Sequence, residues 1–374
     1  MKGKRILINA GMVSNQPSGV GVYSAELLKE LVPYLEKGGV TFTIYCYEPS
    51  LLQKINITQV KKISLGFVFD KLLKKKEALH RHIWNTIVLN FLSINFDIVY
   101  SFSSHGALFH RKQIITIHDL ICLSFPNSHK GQYYYFKYFL PYLIRQSDHI
   151  ISISNFTKNE VIKTYSVDNK KVSVIYNGIN HLEKLQWLEK DENWLETITE
   201  KMPFCLSVGA SYPHKNIETL LEVCKAMKHL DIKFIITNKP NPYYYSLIKK
   251  AEDLQLKNVI FLSYIDASKL ALLYKEAKLN IYLSLYEGFG FPPAEAALFK
   301  TQSLLTKQPA LIEVYGASCE YTDPFDINRI KVIISKYAFA PDKIETQSYY
   351  QLKQKYNWNK SAQETFNLLK IHFN

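Results

Sequence analysis

LNIYLSLYEGFGFPPAEAALFK, residues 279–300, passes from an apolar run of strand length into a helical pattern across two glycines and a proline pair. The run reads as a strand ending near Tyr286, which puts Glu287 at its carboxyl edge. Gly288 and Gly290 permit positive φ and let backbone N–H groups come close to a ligand. Pro293 has the fixed φ that suits a first helical position, so the helix is expected to start there with Glu295 in its first turn. The two carboxylates, eight positions apart, then stand on different elements. A first-turn acid is usually explained by a capping box, in which it reaches back to the N–H three residues earlier. Here that residue is Pro292, which has no N–H, so Glu295 is expected to bind something else. A carboxylate accepts two neighbouring sugar hydroxyls at once, each charge-assisted bond contributing about 1.5–3 kcal/mol. The adjoining helix N-terminus favours phosphate. Sugar diol plus phosphate describes a nucleotide or a nucleotide sugar.

Outward from this stretch the same alternation continues. FCLSVG, a helix from Ile217, IKFIIT, NVIFLSYI and a helix from Ala267 to Ala277 precede it. Earlier still come RILIN, a helix from about Val22 to Leu35, TFTIYCY, a basic segment, DIVYSF, QIITIHD, a helix through a tyrosine-rich stretch, HIISIS, a further helix and VSVIYNG. Alternation of this kind predicts an α/β fold of parallel sheets built from βαβ units. At 374 residues the chain exceeds one comfortable core, so two Rossmann-like doubly wound domains are expected, facing a cleft. The boundaries read as 1–180, a charged join at 181–200, 201–355, and a closing segment 356–374. The helix of that segment, Trp358 to Phe373, is expected to cross back to the first domain.

Five cysteines, odd in number and never in C-x-x-C, argue against a disulfide framework or a zinc site, and a reducing cytoplasm is the expected home. No signal peptide is read at the start, and the apolar window Ile83 to Phe102 is broken by Asn85, Asn90, Asn95 and Asp97. A soluble or peripheral protein is expected. The net charge of +13 is uneven: residues 1–180 hold 22 Lys and Arg against 11 Asp and Glu. The densest part runs through Lys54, Lys61, Lys62, Lys71, Lys74, Lys75, Lys76 and Arg81. It reads equally as a solvated helix face or as a face meeting anionic lipid at the inner side of the cell membrane. No nucleic-acid-binding motif accompanies it.

SLYEGFGFPPAEAA, ASKLALLYKEAKLNIYLSLYEGFG, PSGVGVYSAELLKEL, TIHDLICLSFP, SDHIISISNFTKNEV, VIYNGI, SVGASYPHKNIETLLE and YNWNKSAQETFNLLK together cover nearly the whole chain. Jointly they resemble the GT4-type retaining glycosyltransferases of the GT-B fold, the group 1 enzymes of bacterial surface polysaccharide synthesis, whose signature is E-x7-E. The resemblance implies a nucleotide-diphosphate-sugar donor carrying mannose, rhamnose, glucose or an N-acetylhexosamine, and a saccharide or lipid-linked saccharide acceptor. It implies no cofactor and no metal, and the sequence holds no D-x-D. By resemblance the catalytic set is Glu287, His118 and Lys215, and the donor-binding set is Glu295, Gly19, Gly288, Phe289, Gly290, Phe291, Gly209, His214 and Asn216.

Residue chemistry supports several of these. Lys215 follows the strand FCLSVG at a helix start, where a cation opposes the dipole, and it can offset the charge of a departing diphosphate. The family often has Arg where His214 stands. His118 and Asp119 close the strand QIITIHD; by resemblance His118 touches the donor sugar, while Asp119 orients His118 or the loop. Ser154 reads as an N-cap. The long loop Gly11 to Ser18 is expected to bring Gly19 to the donor. Gly19 and Gly21 start ten residues too late for a dinucleotide fingerprint and have Ser24 in place of its third glycine, although Glu48 mimics its acid. NAD binding therefore stays a minor alternative, beside a non-catalytic nucleotide-sugar binder and a phosphorylase. A glycine and a proline usually follow the signature helix, where this chain has LFKTQSLLT, and an altered turn is expected there; Glu313 still matches the acid that follows.

Overall fold

The computed structural model describes residues 3–11, 19–45, 87–110, 112–183, 185, 187–341 and 349–373. The basic run from Lys54 to Arg81, Glu48 and most of the loop before Gly19 lie outside the described residues. The chain forms two units, Met1–Gly178 with Tyr356–Asn374, and Ile179–Lys355.

The first unit holds β1 (Arg5–Asn9), β2 (Thr41–Tyr45), β3 (Ile98–Ser101), β4 (Gln113–Ile117), β5 (His149–Ser152) and β6 (Val172–Val174). All are parallel, in the order β2-β1-β3-β4-β5-β6. A parallel sheet is covered on both faces, which is why QIITI is buried at every position instead of alternating. The helix after β1 runs Gly19–Lys37, three residues longer at its start than the sequence reading. The helix Trp358–Phe373 packs along it, with Trp358 buried against Tyr23 at 5.9 Å and Phe366 against Tyr34 at 5.8 Å between ring centroids. Gly178 makes that docking possible, because a Cβ there would lie 2.3 Å from the Trp358 nitrogen.

The second unit holds β7 (Phe204–Val208), β8 (Lys233–Thr237), β9 (Val259–Leu262), β10 (Leu279–Tyr282), β11 (Ser303–Thr306) and β12 (Glu320–Thr322), parallel in the order β12-β11-β10-β7-β8-β9. The alternation along β7 sends Phe204 and Leu206 into one core layer and Cys205 into the other. Each fully buried aliphatic side chain in these layers contributes about 1.5–3 kcal/mol. The charged segment read as a join forms the helix Glu189–Thr199, whose Leu195 packs in the first of those layers and whose Asp191 carboxylate accepts the Leu188 N–H at 3.1 Å. The chain order reverses between β1 and β3 in the first sheet and between β7 and β10 in the second, the crevices where such sheets take ligands.

In the turn after the signature helix Lys300 adopts φ +55°, the left-handed conformation that a glycine takes without strain. A side chain in that conformation costs about 1–2 kcal/mol. Lys300→Gly is expected to raise stability by roughly 0.5–1 kcal/mol, after the greater unfolded-state entropy of glycine is deducted, in a urea titration.

Candidate functional site

Beyond β7, Gly209 has φ +94° and its N–H reaches the Thr237 carbonyl at 2.9 Å. A 3-10 turn, Pro213–Lys215, follows, and Asn216 at φ +56° starts the helix Ile217–Ala226. The Asn216 amide donates to the Pro324 carbonyl at 2.9 Å and accepts from the Thr219 hydroxyl at 2.8 Å, so it holds the turn in place. This geometry sends Lys215 towards β10.

On the β10 side the strand stops at Tyr282, four residues short of the sequence reading. The chain leaves the ladder because its groups find other partners. The Leu285 N–H and the Ser284 hydroxyl go to the His214 carbonyl, and the Ser284 carbonyl accepts from Thr306 at 2.5 Å. Loop and turn are thereby laced together, and Glu287 comes against Lys215.

The Lys215 ammonium donates to Glu287 Oε1 at 2.5 Å and to the Tyr282 hydroxyl at 2.8 Å, and the Tyr282 hydroxyl donates to the same Glu287 oxygen at 2.6 Å. The ammonium also sits 5.0 Å from the Tyr282 ring centroid. The Lys215 and Glu287 side chains are only 18% and 12% exposed. Burial alone would raise the Glu287 pKa, but the charges of Lys215 and then His214 outweigh it and hold the carboxyl below its ordinary value. Burial and the Glu287 charge push the Tyr282 phenol well above 10, so it remains a donor. His214 itself is buried, its ring stacked on Tyr212 at 5.7 Å.

In the glycine loop Gly290 is left-handed, at φ +85°, while Gly288 does not use the positive φ open to it. The Tyr315 hydroxyl donates to the Gly290 carbonyl, and Gln308 donates to the Glu287 carbonyl at 3.3 Å. Phe289 is buried and lies 5.6 Å from Phe291. A Cβ on Gly290 would meet Leu311 at 2.7 Å. Gly290→Ala is therefore expected to lower stability by about 2–4 kcal/mol, from left-handed strain plus overpacking, read as a fall in thermal midpoint.

The signature helix runs Phe291–Leu298 and takes both prolines into its first turn, where their missing N–H groups have no bond to lose. Glu295 thus falls just past the first turn, not within it. Its Oε2 accepts from the Tyr274 hydroxyl at 2.7 Å and its Oε1 meets His181 Nε2 at 3.1 Å. Phe291 sits edge-on to the His181 ring at 5.7 Å. Tyr274, like Tyr282, is buried, and burial followed by the charge of its adjoining glutamate raises its phenol well above the ordinary value, so each carboxylate accepts from a phenol that keeps its proton. Sequence reading missed Tyr274, Tyr282, Tyr315 and His181. The end of the run LNIY could have pointed to Tyr282, whereas nothing local marks His181, 114 positions from its partner.

Gly19 and His118 belong to the first unit, the other ten candidates to the second. Gly19 is the exposed first residue of its helix. His118 Nε2 faces the Phe102 carbonyl at 2.8 Å, beside the β1–β3 order reversal, and its ring meets Tyr23 edge-on at 4.7 Å. A carbonyl only accepts, so Nε2 carries the proton and Nδ1 keeps its lone pair. Burial, only partly opposed by the carbonyl bond, lowers the His118 pKa to about 4, which leaves the ring neutral near pH 7. Asp119 accepts the Ile121 N–H at 3.0 Å and shapes the loop, and Ser154 caps the helix Asn155–Tyr165 through the Thr157 N–H. Among the described residues no helix is long and apolar enough to cross a membrane.

Comparison with known proteins agrees with this architecture. The chain is 33% identical over 241 residues, 64% of its length, to the O-antigen chain mannosyltransferase RfbU of Salmonella typhimurium, and spans 65% of that protein. It is 29% identical over 245 residues to the uncharacterized glycosyltransferase MJ1607 of Methanocaldococcus jannaschii, spanning 60% of each chain. It thus spans less than two thirds of either relative. Anabaena HepE, solved with UDP and glucose, superposes with a TM-score of 0.73 at 17% identity over 98% of this chain and 99% of that one. Sucrose-phosphate synthase from Thermosynechococcus elongatus gives 0.71 at 16% identity over 99% of both. At such identities the likeness shows the fold, which is GT-B. The family model of glycosyltransferase family 4 matches residues 17–181 and that of glycosyl transferases group 1 matches residues 166–318. The chain belongs to the GT4-type group 1 glycosyltransferases.

Proposed function

We propose that this chain transfers a hexose from a nucleotide-diphosphate donor to a hydroxyl of a saccharide or lipid-linked saccharide, with retention, in the assembly of a bacterial surface polysaccharide. The observation that carries the reading is the Lys215–Tyr282–Glu287 cluster beyond β7 and β10, where the strand order reverses. A partly buried ammonium held 2.5 Å from a carboxylate is placed to exchange that partner for the leaving diphosphate as negative charge develops on it. Glu287, ionised, then faces the sugar, where it orients hydroxyls or stabilises positive charge at the anomeric carbon.

In this scheme the diphosphate's charge is met by Lys215 and backbone N–H groups, and no metal is required. Retention follows from front-face attack, with the leaving phosphate oxygen taking the acceptor proton; double displacement through Glu287 is the alternative route. Glu295 binds the ribose diol, Gly19 approaches the donor, and the His118 Nδ1 lone pair accepts from a sugar hydroxyl. The first unit takes the acceptor. Its cation excess, including the run from Lys54 to Arg81, suits a lipid diphosphate carrier at a membrane surface.

The name of RfbU puts mannose first among the donor sugars to test, and the HepE complex adds a UDP-glucose-type donor. A thermal-shift panel of UDP-, GDP- and dTDP-sugars is expected to single out one base, since a ligand at a hundred times its Kd stabilises by about 2.7 kcal/mol. Product formation with the selected donor is the second readout. Absence of a shift and of product across the panel would remove the reading.

A further inference from the structure

Tyr282 is the last residue of β10, where it pairs with Leu305 of β11. Its ring is buried, and a Cβ added to Gly290 would come within 3.5 Å of it. The sheet itself therefore carries the phenol. Lys215 ends a 3-10 turn and Glu287 lies in the loop beyond the strand, so neither has that support. Groups on strands are held more precisely than groups on loops.

The Tyr282 hydroxyl makes two bonds of opposite sense. It accepts from the Lys215 ammonium at 2.8 Å and donates to Glu287 Oε1 at 2.6 Å. With the direct bond from Lys215 to the same oxygen, the three groups close a ring in which both donors converge on Oε1. A phenol has one proton to give, and here the carboxylate takes it. A hydroxyl retained only to satisfy itself in the core needs one partner; this one bridges both members of the ion pair.

The bridge matters when Lys215 turns to the diphosphate. The Glu287 side chain is only 12% exposed. A carboxylate so enclosed and stripped of its donors gains a proton readily, because desolvation favours the neutral form. A neutral Glu287 has no charge to set against a positive anomeric carbon. The bond from Tyr282 does not pass through Lys215, so it holds Oε1 throughout the exchange. We propose that Tyr282 is a positioning residue for sugar transfer, whose hydroxyl keeps Glu287 in place and charged while Lys215 changes partner from carboxylate to departing diphosphate. This inference rests on the roles proposed above for Lys215 and Glu287 and adds the group that makes their exchange possible.

Tyr282→Phe keeps the ring and removes the hydroxyl. With the sugar nucleotide that the full chain turns over, GDP-mannose and UDP-glucose being the first tried, kcat is expected to fall at least about tenfold while the donor Kd stays within about threefold. The acid limb of kcat should move up by about one pH unit, because Glu287 has lost the donor that remains once Lys215 turns away. In a Lys215→Met background the same substitution should lower kcat by less than about threefold, since no exchange is left to support. Tyr282→4-aminophenylalanine retains an N–H donor at the same place and should keep at least about a fifth of the wild-type kcat. It decides the matter should the phenylalanine variant fail to fold. A smaller loss in folded Tyr282→Phe, an equal loss with and without Lys215, or a 4-aminophenylalanine chain below that level overturns the proposal and leaves Lys215 and Glu287 in their roles. Full transfer by Lys215→Met removes the underlying reading instead.

Discussion

Lys215→Met is expected to lower sugar transfer by roughly 100- to 1,000-fold, the usual loss when one preorganised stabiliser of developing charge is removed. It should also cost stability, because Glu287 would keep its burial and lose its cation. Breaking a buried ion pair from one side costs about 3–5 kcal/mol. The dependence on pH separates this account from general damage. In the native chain the Glu287 pKa is held below its unfolded value of about 4.3, so the pair's stabilisation is present above that pH and is lost as pH falls through the lower, folded value. In Lys215→Met, burial becomes the leading influence and raises the same pKa, so stability should fall as pH rises through the region above about 4. The contribution of this site to the slope of unfolding free energy against pH therefore changes sign, which urea titrations from about pH 2 to 8 can read. The double variant Lys215→Met, Glu287→Leu should recover most of the stability and none of the activity. Retention of full transfer by a folded Lys215→Met chain would sink the mechanism.

The fold was legible because parallel sheets need strands buried on both faces, and RILIN, QIITI and FCLSV are near-continuous apolar runs that announce this locally. The strands Ser303–Thr306 and Glu320–Thr322, short and flanked by polar residues, were not read from the sequence. Element ends were less legible for the same local reason. Tyr282 ends its strand only because His214 and Thr306, distant in sequence, capture the next backbone groups. The pairing of Lys215 with Glu287 agrees with their expected places at two strand ends, yet the tyrosines that hold them were invisible. Tyr274 and Tyr315 belong to apolar helical patterns that look like ordinary core. A buried hydroxyl acquires meaning only when tertiary structure supplies a carboxylate or a carbonyl for it.

Glu295→Gln is expected to raise the KM for the donor about 10- to 100-fold while leaving kcat within a few-fold, as befits a contact made equally in ground and transition states. The reasoning starts from lone pairs. An ionised carboxylate offers about four acceptor sites, and the bonds from Tyr274 and His181 account for two. One site on each oxygen is left for a ribose hydroxyl, and the side chain is still 11% exposed. Glutamine keeps the Tyr274 bond through its amide oxygen, but its NH2 then stands where Oε1 accepted from His181 Nε2 and from one hydroxyl, and the charge that strengthens these contacts is lost. Glu295→Ala goes further, since it strips the Tyr274 hydroxyl and His181 Nε2 of the partner they share, at about 1–3 kcal/mol for each group left unsatisfied. Its loss should appear in the melting temperature as well as in KM. The comparison of the two variants separates binding from scaffolding. If nucleotide titration gives Glu295→Gln an unchanged Kd while Glu295→Ala only melts early, then Glu295 is a clamp for His181 and Tyr274, and the ribose must be held elsewhere.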